Sequence, residues 1–504
     1  MLPAVAVWTV TAVCVGATVG VALLFAAAGA AVALGSVGCW RTGRLRWELA
    51  GSALVCAMLA ATCAMAMAMR LETRDTHPVH DMRGKATMWL TLREDPVSFG
   101  PASAGSVRAR VEIDGLAHRT IPPAPAELIG RAQSWAGLVP GQRIRSVVTV
   151  RPAPAGELVV ARLTAWGEPQ LLGQPPPLQR IAAHIREQLQ HNSFRALSAE
   201  AAGLFPGLVL GDDSALSEEL RADFRNAGLL HLTAVSGANF AVVCGAVIFA
   251  LRLGGAPPKV VVVAGAVTIV GFVILVRPSP SVLRAAMMGG VGLLALLSSR
   301  RSQALPALGT AVIGGLLWWP ELAREPGFIL SVVATAGLVL VAPGIRDTLR
   351  ALRVPSGVAE LLAMAIAAQV VTAPVIAYLT GTVSVVSVLA NVAVAPVVAV
   401  IGIVGTVAAL AGGLDGVGGV GGVATTLSEL LIRSLAPEVW WMVACAQRLG
   451  SWQWAVITVP DGWFGLVIAV APSALIVAIT AGMRRLDADA VATAVRACRR
   501  ALAR

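Results

Sequence analysis

The run GLLHLTAVSGANF, residues 228–240, sets a histidine, a serine and an asparagine into an otherwise apolar stretch. Polar side chains at membrane depth are costly, and those that persist tend to mark substrate paths or proton relays. His231 and Asn239 are eight residues apart, which is about 80° around a continuous helix. Ser236 and Gly237 between them can loosen that helix and turn backbone groups toward a cavity. Three further apolar runs carry polar residues: Arg284 lies one turn beyond Pro280, Gln369 shares a run with Thr372 and Pro374, and Asn391 shares one with Pro396. The chemistry open to this set is hydrogen bonding and pairing with anions. Hydrolysis is not expected, because HExxH, GxSxG and paired intramembrane carboxylates are absent from the sequence. Each residue also has a plain reading as an interhelical hydrogen bond, worth about 0.6 kcal/mol on average. Arg284 can snorkel from a span end, although Pro280 and Ser281 favour a short or broken helix opening on a polar space.

No metal centre or cofactor is expected. The six histidines include one close pair, His77 and His80 followed by Asp81, and that spacing is not the HxHxDH run with which a metal-dependent nuclease activates water. The cysteines lie mostly in or beside apolar runs and form no CxxC pair, which argues against structural zinc and a disulfide framework.

The elements that carry these residues are membrane helices. Of 504 residues, 57% are hydrophobic and 13% charged, against about 25% charge in an ordinary soluble chain, and the mean hydropathy is +0.77. The net charge of +11 would suggest nucleic acid in a soluble protein. Here the Lys/Arg-rich loops of a membrane protein account for it first. The expected fold is a polytopic α-helical membrane protein of about 11–12 spans. Residues 1–69 hold the N-terminal spans, the first two being short helices that turn near Gly16 to Gly20. Residues 178–200 form an amphipathic helix with Leu178, Ile181, Ile185 and Leu189 on one side. Residues 201–483 form the main membrane domain. Its spans are expected at about 229–251, 260–276, 281–298, 304–319, 327–343, 357–379, 383–411 and 462–483, with a poorer one within 417–446. Residues 484–504 are a basic tail suited to anionic headgroups.

Residues 70–177 break this pattern. Val107, Ala109, Val111 and Ile113 alternate with Arg108, Arg110, Glu112 and Asp114, and Ile144, Ser146, Val148 and Val150 alternate with Arg143, Arg145, Val147 and Thr149. Period 2 marks strands with one wet face, and several in about 100 residues imply a small barrel or sandwich. Its balance of 13 Lys/Arg to 10 Asp/Glu between Arg70 and Pro177 is mildly basic.

Loop charges set the orientation. The loops at 41–46, 252–259, 300–301 and 346–353, together with the tail, carry 16 Lys/Arg, whereas the opposing loop near Glu321 to Pro326 carries only Arg324. With one span inside 417–446, both termini face the cytoplasm and residues 70–177 lie outside it.

Several ordered segments resemble the ComEC competence family. GLVLGD (207–212) followed by DFRNAGLLHLTAVSGAN (223–239) is similar to its signature. PSVLRA (280–285), EPGFILS (325–331), the Gln369 to Pro374 segment and the Leu389 to Pro396 segment are similar to later blocks. The resemblance implies a bacterial inner-membrane channel that passes single-stranded DNA into the cytoplasm during natural transformation, with an OB-like domain outside the cytoplasm. His231, Ser236, Asn239, Arg284, Gln369 and Asn391 would then line the path. Arg108, Arg110, Arg143 and Arg145 would touch phosphates on the OB-like domain, with Trp89 or Trp135 stacking on bases, although Trp89 is expected to fill the barrel core. Its implied partners are single-stranded DNA, the bilayer, a periplasmic DNA-binding competence protein and a separate nuclease. Two features depart from the family. Asn239 stands where many members have histidine, and the chain carries no metallo-β-lactamase-like domain, so it is not expected to be an enzyme. The alternative reading is a transporter or flippase for a smaller solute, or another envelope function, since broken helices with mid-membrane polar residues serve solute carriers equally well.

Overall fold

The computed structural model describes residues 1–43, 46–99, 105–117, 119–154, 156–233, 237–297, 304–415, 421–476 and 478. The chain divides into two compact units. One comprises Met1–Gln188, Leu251–Ser302 and Gly309–Phe328, and the other Leu189–Ala250, Gln303–Leu308 and Ile329–Arg504.

In the first unit, the apolar N-terminal block folds as helices Leu2–Cys14 and Val19–Arg41, with the turn between them close to where the glycines predict it, and the helix Trp47–Asp75 follows. The polar insert then forms strands β1 (Gly84–Leu92), β2 (Val97–Phe99), β3 (Ser106–Leu116), β4 (Arg119–Arg131), β5 (Arg143–Pro152) and β6 (Ala161–Leu171), with a short helix Ala132–Trp135 between β4 and β5. Five of these strands close on themselves. β1 pairs antiparallel with β3, β3 with β4, β6 with β5 and β5 with β1, and the parallel β4/β6 pair completes the circuit, while β2 pairs along β3. This is a small barrel of OB-like connectivity. Alternation builds its core as the sequence predicts: Val107, Ala109, Val111 and Ile113 point inward from β3, and Ile144, Ser146, Val148 and Val150 from β5.

Trp89 and Trp135 reverse the expected roles. Inward positions of β1 are taken by Met88 and Leu90, so the pleat turns Trp89 outward. There it lies against Gly115, whose added Cβ would sit 2.9 Å from Trp89 Cε3. Trp135 is only 1% exposed and fills the core, with its indole N–H donating to the Gly167 carbonyl at 3.2 Å.

Among the described residues, five helices are long and apolar enough to cross a bilayer: Val19–Arg41, Trp47–Asp75, Pro258–Val276, Ser356–Thr380 and Ser387–Gly412. A sixth candidate is the pair Pro326–Leu340 and Ala342–Ala351, bent by 41°. Other apolar helices, among them Ala199–Leu210, Pro280–Leu294 and Ala304–Trp318, are shorter. Among the described residues, fewer helices reach spanning length than the 11–12 expected. The single span expected within 417–446 is not formed. Helices Gly421–Ser434 and Ala436–Gly450 share that stretch and break at Leu435, just before Pro437. The over-long 383–411 run is instead one 26-residue helix, Ser387–Gly412, which carries Pro396 inside it. The amphipathic helix spans Pro177–Ala196; it buries Ile185 and Leu189 and leaves Leu178 and Ile181 exposed. Residues 484–504 lie outside the described residues.

The second unit has an element that the hydropathy reading left unassigned. Helix Ala199–Leu210 buries every residue from Ala201 to Leu210. Helix Ser387–Gly412 lies directly on it, since a Cβ on Gly405 would come within 2.4 Å of Val209 Cγ2 and 3.3 Å of Phe205 Cζ. Small residues at such crossings let membrane helices approach closely.

Candidate functional site

The signature segment does not form the continuous helix expected of it. Helix Glu218–Asn226 is capped by Ser217, whose hydroxyl accepts from the Leu220 amide at 3.3 Å. The chain then turns through Gly228 at φ +73°, makes a 3-10 turn at Leu230–Leu232, and starts the next helix at Gly237. His231 and Asn239 therefore belong to different elements, and the 80° relation between them does not exist. The cause is local: Gly228 adopts the left-handed conformation that ends helices. Ser236 lies outside the described residues.

What the turn does is gather residues far apart in sequence. Ser384 Oγ donates to the Asn226 carbonyl at 2.7 Å, and Asn391 Nδ2 reaches the Gly228 carbonyl at 3.5 Å. Asn391 Nδ2 donates to the Ser387 carbonyl at 2.8 Å, Ser387 Oγ to Gln369 Oε1 at 2.6 Å, and Gln369 Nε2 to the Ser384 carbonyl at 3.0 Å. On the other side, Asn226 Nδ2 donates to the Gly450 carbonyl at 3.3 Å. The approach is tight enough to require glycine, because a Cβ on Gly228 would lie 2.4 Å from Ser387 Cβ. Gln369 and Asn391 thus share one network with Ser384, Ser387 and Asn226, three residues that sequence reading did not single out. The groups are neutral amides and hydroxyls, and most of the bonds end on backbone carbonyls. Such a network fixes a loop inside a helical bundle and offers hydrogen bonds, with no activated nucleophile. His231, three residues past Gly228, is exposed.

Asn239 does a different job. It is buried, and its Nδ2 donates to the Leu208 carbonyl at 3.0 Å. Helix Ala199–Leu210 ends at left-handed Gly211, with the Gly211 amide on the Gly207 carbonyl and the Asp212 amide on that of Pro206. The Leu208 carbonyl is thus one of the helix-end acceptors that need an outside donor, and Asn239 supplies one. An N–H is what the position requires, and an amide provides it without a titratable ring.

Arg284 belongs to the first unit. It is buried in helix Pro280–Leu297, with a guanidinium nitrogen 3.5 Å from Met288 Sδ, so its head does not emerge at the surface as snorkelling would require. On the barrel the four candidate arginines divide in two. Arg108 pairs with Glu127 at 3.5 Å, and Arg110 with Glu94 at 3.7 Å and Glu321 at 3.0 Å. Arg143 and Arg145, on β5, make no ion pair among the described residues. Beside the Arg110–Glu321 contact, Arg277, at φ +74° just after helix Pro258–Val276, pairs with Asp95 at 2.7 Å, so two ion pairs tie the barrel to helical elements of its own unit.

Both ring nitrogens of His77 are engaged: Nε2 with the Pro122 carbonyl at 2.9 Å, and Nδ1 with the Val79 amide at 3.2 Å. Among the described residues no group of three or more His, Cys, Asp or Glu is placed to hold a metal ion.

Comparison with known proteins gives two matches. ComE operon protein 3 of Bacillus subtilis (strain 168) is 26% identical over 196 residues, which is 38% of this chain and 25% of that protein. The chain thus aligns with a quarter of the length of that curated relative. No solved structure matches it. The family described as competence protein matches residues 208–484, a stretch that holds the signature turn, Gln369 and Asn391 and covers more than half of the sequence, and the chain therefore belongs to the competence protein family.

Proposed function

We propose that this protein takes part in DNA uptake and conducts single-stranded DNA across the cytoplasmic membrane during natural transformation. The observation that carries the reading is the family match over 208–484, whose segments meet in one partly buried polar network. A flexible polyanion needs a wet path with scattered donors and cations rather than one tight site. His231, Ser236, Asn239, Arg284, Gln369 and Asn391 are the proposed path residues. His231 is the best placed to meet cargo. Gln369 and Asn391 act mainly by holding the turn beside it.

The barrel receives the strand outside the cytoplasm, and both termini lie inside, as the Lys/Arg loops imply. This orientation takes the helices Gly421–Ser434 and Ala436–Gly450 together as one crossing. A reporter fused near Gly130 is expected outside and one after Arg485 inside; the same side for both would refute the orientation. The polypeptide itself is not a nuclease, and a periplasmic DNA-binding protein and a separate nuclease act with it. Deletion of the gene in a transformable host is expected to abolish cytoplasmic uptake of labelled DNA while surface binding persists. Normal transformation in the deletion strain would sink the proposal.

A further inference from the structure

Helix Ser356–Thr380 does not hand the chain directly to helix Ser387–Gly412. The chain turns at Gly381, left-handed at φ +62°, and runs back along the helix as strand β7 (Thr382–Ser384). It returns far enough for the Ser384 carbonyl to accept from Gln369 Nε2. Gln369 lies eleven residues before Thr380, about 17 Å along the helix. Strand β8 (Val456–Thr458) pairs antiparallel with β7, Thr382 with Thr458, Val383 with Ile457 and Ser384 with Val456. Two further bonds extend the ladder, from the Val385 amide to the Ala455 carbonyl and from the Val459 amide to the Gly381 carbonyl, each at 2.9 Å. Among the described residues no third strand joins, so each strand keeps one edge outside the ladder.

The depth of this ribbon follows from the residues around it. Tyr378 and Trp463 meet edge-on with ring centroids 5.4 Å apart, and such aromatics concentrate at membrane–water interfaces. Gln369 is nine residues from Tyr378, about 13 Å along the helix, so the ribbon descends from the interface toward mid-membrane. At its foot Val385 is 53% exposed and Leu389 62%, as lipid-facing residues are. Non-helical backbone at that depth is tolerated only where protein buries it or water reaches it. The two faces of the ribbon differ. The pleat puts Val383 and Ile457 on one face, and Thr382, Ser384, Val456 and Thr458 on the other. Ser384 Oγ donates to the Asn226 carbonyl at 2.7 Å, and a Cβ on Gly228 would lie 3.4 Å from that hydroxyl. The hydroxyl face is therefore turned toward the signature turn. Thr458 is exposed on it, and Ile457 is exposed on the opposite face.

We infer that this ribbon is a re-entrant wall of the translocation path, with Thr382, Ser384 and Thr458 against water and the face of Val383 and Ile457 against apolar surroundings. The inference rests on the membrane domain conducting a strand and adds which backbone lines the way. Water satisfies the edge groups that lipid could not. The hydroxyls are neutral donors that hydrogen-bond passing phosphate oxygens without holding them, and conduction needs contacts weak enough to leave. Gln369 and Ser384 then do more than join helices: they pin the ribbon to its helix and to the signature turn.

The test uses single cysteines in the full-length protein in phosphatidylcholine nanodiscs, labelled with the charged thiol reagent MTSET. Rates are taken above the wild-type baseline set by the seven native cysteines. The thiolate is the reactive form and apolar surroundings suppress it, so Thr458→Cys should label at least about tenfold faster than its neighbour Ile457→Cys or the lipid-facing Leu389→Cys. Thr382→Cys, a second reporter should Thr458→Cys fold poorly, is expected to label faster than Ile457→Cys as well. Equal labelling at all these positions would put the ribbon outside the bilayer and overturn the inference. No labelling at either threonine position would make the ribbon dry and do the same. In competent cells, MTSET given before DNA should cut transformation of the Thr458→Cys strain and leave wild type unaffected. A labelled Thr458→Cys strain that transforms normally would remove the ribbon from the path. If the deletion strain itself transforms normally, DNA conduction fails, while the labelling contrast still reads the wet face.

Discussion

The barrel and the helical second unit place their polar groups in opposite ways. Inside the barrel are Val107, Ile113, Leu128 and Ile144, and outside are arginines, either paired with carboxylates or left without them. In the helical unit the exposed residues include Leu389, Val407 and Trp440, while Gln369, Asn391 and Asn239 donate to backbone carbonyls and Ser387 donates to the Gln369 side chain. A charge on a solvated surface costs little, so the barrel can keep cations with no structural task. A polar group in a bundle surrounded by lipid must find a partner within the fold, and the neutral side chains of this network are occupied in that way.

That contrast predicts where substitutions are felt. The largest effect is expected from Gly228→Val. The left-handed backbone disfavours any β-carbon by about 1–2 kcal/mol, and the overlap with Ser387 adds about 1–3 kcal/mol. Abundance and the detergent melting temperature should both fall sharply, and a normally abundant variant would break the account of the turn. Next is Gln369→Leu, which strands the Ser384 carbonyl and the Ser387 hydroxyl at about 1–3 kcal/mol. A cycle with Ser387→Ala should give a coupling of about 0.5 kcal/mol or more, and strict additivity in the melts would mean that the two residues act separately.

Arg284 probes the buried side of the contrast through uptake. If it meets a polyanion, Arg284→Glu should impair transformation more than Arg284→Lys at equal abundance, because Lys keeps the charge; equal, mild effects would remove it from the path. The smallest effects belong to the barrel surface. Arg110→Gln loses Glu94 and Glu321 and should cost up to about 1 kcal/mol, whereas Arg143→Gln should change thermal stability by no more than about 0.5 kcal/mol. A larger loss for Arg143→Gln would show that this arginine has a structural task after all.

Where the structure followed the sequence, the signal was local and periodic. The alternation in 107–113 and 144–150 gave both strands and their inward faces. The same rule, applied to β1, turns Trp89 outward between Met88 and Leu90. Applied to Ala161, Leu163 and Ala165, it also turns Trp166 outward, and that residue is exposed. Hydropathy located the apolar runs but not their ends. The helix assigned from residue 229 begins at Gly237, because a left-handed glycine and a 3-10 turn cost no hydrophobicity and leave no mark on a hydropathy profile.

The sequence by itself determined that this is a membrane protein with a small β insert, and the order of its signature segments placed it beside the competence family. Only the tertiary structure decided which polar residues meet. Gln369 with Ser387, Asn391 with Gly228 across 163 residues, and Asn239 with Leu208 are pairings that no periodicity encodes. Periodicity says which face of an element avoids its surroundings, and that depends on neighbours along the chain. A hydrogen-bond partner depends on which helix end lies open beside the donor, and folding alone brings the two together.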